Sequence, residues 1–179
     1  KTIVKNSNND PPCRVSAHRT LITTPVMKLV TSKVHCHRNG IEKDFFKLEF
    51  SPWVNIVACT EKNEIVLIRQ YRFGTDRIEL EIPGGAVNDG EPPLTAGLRE
   101  LLEETGYAGD KSRIIGTVCP NPAIQDNLCY TVLIENVKKV AEPNLDEMED
   151  IEVLTVAEDE VFSLLQDGTI NHGLVLNGL

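Results

Sequence analysis

The chain lacks the features that would take it out of the ordinary globular proteins. It has no CxxC pair. Cys13, Cys36, Cys59, Cys119 and Cys129 are scattered and odd in number, which argues against a disulfide framework or a cysteine zinc site and for a reducing, cytoplasmic setting. It has no long apolar run. Uncharged stretches such as residues 50–60 are too short to cross a bilayer, so no membrane partner is expected. No basic segment followed by an apolar one marks a secretory signal. The first residue is Lys1 rather than Met, and a removed leading segment stays open. Basic residues are outnumbered, 18 against 27 acids for a net charge of −9, which argues against a nucleic-acid partner because phosphate contacts need a basic footprint.

Base is missing altogether after Lys139. Residues 140–179 hold ten acids, whereas residues 1–139 hold 18 bases against 17 acids. Such a tail fits a solvated acidic face or a site for a hard cation, which prefers carboxylate oxygens. What is present, 41% hydrophobic and 25% charged residues over 179 positions, suffices for one domain with a real core.

Residues 1–12, rich in Asn, Asp and Pro, read as a flexible arm, which we extend to residue 19. Residues 20–50 read as an N-terminal β region, with Asn39-Gly40 turning a hairpin, and residues 51–179 as the main domain. Within it, Val54–Cys59 and Ile65–Ile68 form a second hairpin, and Ile78–Ile82 is a strand stopped by Pro83-Gly84-Gly85. A helix spans Pro92 to Thr105, with proline suited to its first turn and Gly106 to its left-handed end. Strands follow near Ile114–Val118, Cys129–Glu135 and Ile151–Val156. A helix over Ala157–Gln166 and a last short one within Ile170–Leu179 complete a mixed sheet packed between helices, an α/β (α+β) fold.

The helix from Pro92 carries the chemistry. On a helical wheel Leu94, Leu98, Leu101 and Leu102 gather on one side, and Glu100, Glu103 and Glu104 on the other, with Ala96 and Gly97 leaving the acidic face uncrowded. Glu100 and Glu104 repel at i,i+4 spacing with no lysine placed to relieve them. A solvated face and a divalent-cation site both fit.

Gly85, Glu91, Arg99, Glu100, Leu101, Glu103, Glu104, Gly106 and Tyr107 occupy the defined positions of Gly-x5-Glu-x7-Arg-Glu-U-x-Glu-Glu-x-Gly-U, U being bulky aliphatic or aromatic. The stretch resembles the Nudix box at every one of them. Trp53-Val54-Asn55, Gln70-Tyr71-Arg72, Leu80 to Gly85, and Pro122 fifteen residues past the box are similar to the ADP-ribose pyrophosphatase branch. The resemblance implies an α/β/α sandwich. It implies Mg²⁺-dependent hydrolysis, with Mn²⁺ as a second metal, of a nucleoside diphosphate sugar, ADP-ribose first. GDP-sugars, dinucleoside polyphosphates, damaged nucleoside triphosphates, or a non-catalytic ADP-ribose-sensing module are the alternatives.

Carried over by position, the metal ligands would be Glu100, Glu104 and the carbonyl of Gly84, with Glu103 joining them or orienting the shell. Arg99 would serve catalysis by holding the glutamates. Arg72, Glu81 and Arg69 would bind substrate, with Arg77 a further basic neighbour. The general base would be Glu149, or Glu147, in the acidic loop before the strand at Ile151. The branch also implies a homodimer built partly from residues 20–50. His35-Cys36-His37, Cys119 and His172 receive no chemical role, and Trp53 fits either stacking on a base or a place in the core.

Overall fold

The computed structural model describes residues 11–179; the expected arm over residues 1–12 therefore lies almost wholly outside the described residues. Two compact units divide the described residues, one formed by residues 11–50 and 121–126, the other by residues 51–120 and 127–179.

The N-terminal unit is an antiparallel three-stranded sheet of β1 (Cys13–Thr23), β2 (Lys28–Cys36) and β3 (Glu42–Glu49) in sequential order. The hairpin expected at Asn39-Gly40 joins β2 to β3. Gly40 takes the left-handed conformation there (φ +70°), and the Asn39 side chain accepts the Ile41 N–H at 3.1 Å. The flexible arm does not reach residue 19, because a strand begins at Cys13. Its side chains are mostly exposed, so ladder pairing with β2, interrupted by two bulges, holds it rather than a buried face. Residues 121–126 join this unit through Leu48 N–H, which donates to the Ile124 carbonyl at 2.8 Å, and a Lys47–Asp126 ion pair at 2.8 Å.

The second unit is a mixed sheet. Its order is β11 (Ile151–Ala157), β5 (Glu64–Arg72), β4 (Trp53–Thr60), β10 (Cys129–Lys139), β8 (Tyr107–Ala108), with β6 (Arg77–Glu81) on β5, β7 (Gly84–Ala86) on β4 and β9 (Lys111–Val118) on β10. Only β4 and β10 run parallel; every other pairing is antiparallel. Period-2 alternation feeds two cores. Even positions of β4 (Val54, Ile56, Ala58) pack with Val132, Ile134 and the helix α1 (Pro93–Thr105). Odd positions (Val57, Cys59) pack with Leu67, Ile82 and the helices α2 (Glu158–Gln166) and α3 (Gly173–Gly178). The sheet thus lies between helices, as the sequence predicts.

One irregularity makes room for a site. β4 and β5 pair only at Cys59 and Ile65, beside their tight turn. Beyond it they part like a fork, and β6 lines the inner edge of β5 while β7 lines that of β4. The connection between them is tied back where the Ile56 N–H donates to the Pro83 carbonyl at 2.8 Å.

Candidate active site

Helix α1 does not bury the face that the wheel suggests. Leu101 is fully buried, yet Leu98 and Leu102 are about two-fifths exposed. The inward stripe runs through Ala96, Gly97, Leu101, Glu104 and Thr105. Gly97 explains the rotation: a Cβ there would stand 2.9 Å from Val132 Cγ2, so the helix approaches β10 more closely than any larger residue allows. The small residues face the sheet, and they carry part of the acidic row inward with them.

Glu104 ends up 3% exposed, its Oε2 accepting the Gly84 N–H at 2.9 Å. Burial, with the charges of Glu100 and Glu149 added, pushes its carboxyl up to about 8, against the pull of the Gly84 N–H and Arg72. Glu100 is raised in the same direction, first by burial, with Glu103 and Glu149 adding and Arg99 opposing. A Cβ at Gly85 would fall 2.4 Å from the Glu100 carboxyl carbon, so a larger residue there would push that carboxylate aside.

Arg99 ties the rest of the row together. Its guanidinium makes a two-pronged contact with Glu91 (3.0 and 3.0 Å), donates to the Ala86 carbonyl at 3.1 Å, and reaches Glu100 and Glu103 at 2.9 Å each. These contacts, Glu91 foremost, hold Arg99 firmly in its charged form. Glu103 turns to Arg99 and is 42% exposed. Among the described residues no three His, Cys, Asp or Glu side chains form a ready metal-holding group. What faces inward is a pair of carboxylates, Glu100 and Glu104, beside the Gly84–Gly85 backbone. That donor set suits an octahedral Mg²⁺-type ion, which takes one or two carboxylates and keeps several waters.

The acidic loop before β11 is fastened to the end of α1, where the Asn144 N–H donates to the Glu103 carbonyl at 2.8 Å. Glu149 is half-buried, accepts the Asp146 N–H at 3.1 Å, and acts electrostatically on Glu100, Glu104 and Arg72. Glu147, two residues back, is exposed.

The fork opens a cleft of about 730 Å³ beside Gly84 and Gly85. Trp53 and Asn55 line one arm, Arg72 and Phe73 the other. Arg72 grips Glu81 with two hydrogen bonds of 2.8 Å. Burial opposes ionisation of Glu81, but Arg72 and His172 override it and hold the carboxyl at about 2. Arg77 pairs with Glu79 at 2.6 Å and also lines the cleft. Arg69 is not brought there. It sits an odd number of positions from Arg72 on β5, hence on the other face, and pairs with Glu152 directly opposite it at 3.0 Å.

Sequence reasoning missed the far wall. Asn171 and His172, just before α3, both line the cleft. His172 Nδ1 lies 3.2 Å from Glu81, and Asn171 accepts from Arg77 at 3.3 Å. Asn55, on β4, secures the segment by donating to the Leu174 carbonyl at 2.8 Å. No local pattern announces these contacts, which close over more than ninety residues of chain.

A NUDIX domain matches residues 50–175. The chain belongs to the Nudix family, whose members use divalent metal ions. It is 33% identical over 114 residues to an ADP-ribose pyrophosphatase of Bacillus subtilis, covering 63% of this chain and 62% of that one. It is 30% identical over 118 residues to a methanol dehydrogenase activator of Bacillus methanolicus, covering 65% and 64%. The chain therefore spans a little under two-thirds of these relatives' length. A crystal structure of an ADP compounds hydrolase superposes with a TM-score of 0.83 over 96% of this chain and 92% of that one, at 20% identity; it shares the fold. No helix among the described residues is long and apolar enough to cross a membrane.

Proposed function

We propose that the protein hydrolyses the diphosphate of a nucleoside diphosphate sugar, ADP-ribose first, to a nucleoside monophosphate and a sugar phosphate with Mg²⁺, Mn²⁺ being the second choice. The observation that carries this reading is the inward pair Glu100 and Glu104 against Gly84 and Gly85, which line a cleft that also presents Arg72 and Trp53. Glu100, Glu104 and the Gly84 carbonyl would hold the metal. A divalent ion held by these groups would supply charge neutralisation of the diphosphate and a more acidic water. Arg99 fixes Glu100 and Glu103 by ion pairing, and Glu103 orients rather than ligates. Glu149 takes the proton of the attacking water. Arg72, set by Glu81 and His172, meets the anionic substrate, and the cleft is wide enough for a base or sugar to lie against Trp53.

The likeness to the ADP-ribose pyrophosphatase of Bacillus subtilis favours an ADP-sugar over GDP-sugars or triphosphates. Release of monophosphate from ADP-ribose, GDP-mannose, UDP-glucose and ATP with Mg²⁺ decides among them; ADP-ribose turned over fastest supports the reading. If no compound is hydrolysed while ADP-ribose still binds, the chain is a sensing module. Two further features of the proposal concern the whole protein. Large exposed apolar side chains on the N-terminal sheet, Phe45 at 58% and Phe46 at 55%, support a homodimer formed through residues 20–50, and a light-scattering mass of one chain would exclude it. Five free cysteines support a cytoplasmic site of action, which subcellular fractionation checks.

A further inference from the structure

The N-terminal sheet carries two cysteines that hydrolysis leaves unused. Cys13 opens β1, Cys36 closes β2, and the two stand directly opposite in antiparallel register. The backbone says which kind of pair they form. Cys36 N–H donates to the Ile41 carbonyl, and the Cys36 carbonyl accepts from Gly40 N–H, both at 2.9 Å. Both groups are thus turned toward the β2–β3 connection and away from β1. One position along, His37 N–H donates to the Pro12 carbonyl at 3.0 Å, which marks the hydrogen-bonded pair beside them. Cys13 and Cys36 are therefore a non-hydrogen-bonded pair, with Cα atoms about 4.5 Å apart and side chains at their closest on one face. A disulfide needs Cα atoms about 4.4–6.8 Å apart, so this pair falls inside the window, near its short end. Both thiols are free and half-buried, and a hydrogen bond joins their sulfurs.

We propose that Cys13 and Cys36 are a peroxide-reactive thiol pair, a modification site that closes reversibly to an intrachain disulfide.

Cys36 is the leading thiol. The Arg38 backbone N–H holds it below the usual thiol range against the effect of burial, with the Asn39 N–H, Cys13 and the Arg38 charge adding. Cys13 is shifted the other way, by burial and by Cys36, and suits the resolving role. The Cys36 thiolate attacks one peroxide oxygen and the O–O bond breaks. Sulfur becomes a sulfenic acid, and the other oxygen leaves as water once protonated. The Cys13 thiol then gives up its proton and attacks the Cys36 sulfur. The S–S bond forms, the S–O bond breaks, and the departing hydroxide takes that proton as water. Two thiols lose two electrons and two protons, and one peroxide becomes two waters. At two of the other three cysteines burial works against such chemistry: it pushes the Cys129 thiol up to about 11 and raises Cys59 as well.

The test uses the full reduced chain with a few equivalents of hydrogen peroxide, then alkylation and non-reducing peptide mapping. A Cys13 peptide joined to a Cys36 peptide, released by dithiothreitol, is the expected result. Cys13→Ser should instead stop at a sulfenic acid on Cys36, captured by dimedone. Both thiols still alkylated, a bond to any other cysteine or between two chains, or a dimedone adduct absent from Cys36 in Cys13→Ser would overturn the proposal.

Discussion

Glu104 and Glu81 are both buried carboxyls, 3% and 2% exposed, and their surroundings drive them in opposite directions. Glu81 has Arg72 against it and stays ionised down to about 2. Its contribution to stability is present above the unfolded value near 4.5 and is lost as pH falls through 2. Glu104 has only a backbone N–H and a more distant arginine, and rises to about 8. Its contribution is complete below 4.5 and fades as pH climbs through 8, because the folded metal-free protein must then ionise a buried carboxyl. A divalent ion reverses that loss, and below pH 8 it must first expel a proton. The thermal midpoint should therefore rise more on adding Mg²⁺ at pH 8.5 than at pH 6; an equal rise would detach Glu104 from the metal. Glu149 offers a second test at this scale. Glu149→Gln should lower kcat by about 10²-fold or more, as loss of a general base does, with metal affinity nearly unchanged and Glu147→Gln close to wild type. The opposite pattern would move the base two residues back.

At the scale of elements, the decisive contact is helix against strand at Gly97. A mid-helix glycine ordinarily costs about 1 kcal/mol against alanine. Here a Cβ would meet Val132 at 2.9 Å in a packed core, and overpacking costs about 1–3 kcal/mol. Gly97→Ala should thus lower the thermal midpoint where the helix scale predicts a gain, and should weaken activity by displacing Glu100 and Glu104. The same contact shows what was legible in the sequence. The boundaries of α1, the Asn39-Gly40 hairpin and the hairpin of Val54–Cys59 with Ile65–Ile68 follow from local rules and agree with the structure. The helix's inward face does not, because close approach through Gly97 outweighs the leucine count. Arg72 and Arg69 look equivalent as neighbouring bases, and strand parity separates them. Asn171 and His172 reach the cleft only through long-range packing of α3, and β1, mostly exposed along its length, has no buried face for its alternation to mark.

For the whole molecule, the acids of the base-free last forty residues include two groups in different settings. Glu158, Asp159 and Glu160 are exposed in the first turn of α2, where negative charge is favoured at a helix N-terminus. Glu149 instead lies within electrostatic reach of the inward carboxylates. In the function proposed above, an acidic protein would handle an anionic diphosphate because Glu100 and Glu104 would gather a cation beside Gly84 and Gly85, in a cleft that Arg72 also lines. The most direct measurement is release of AMP from ADP-ribose with Mg²⁺, with EDTA, and with Mg²⁺ for Glu104→Gln whose far-UV circular dichroism matches the parent. Mg²⁺-dependent release by the parent, abolished by EDTA and reduced about 10²-fold or more in Glu104→Gln by the loss of charge stabilisation, is the predicted result. Release by Glu104→Gln within about twofold of the parent would contradict it.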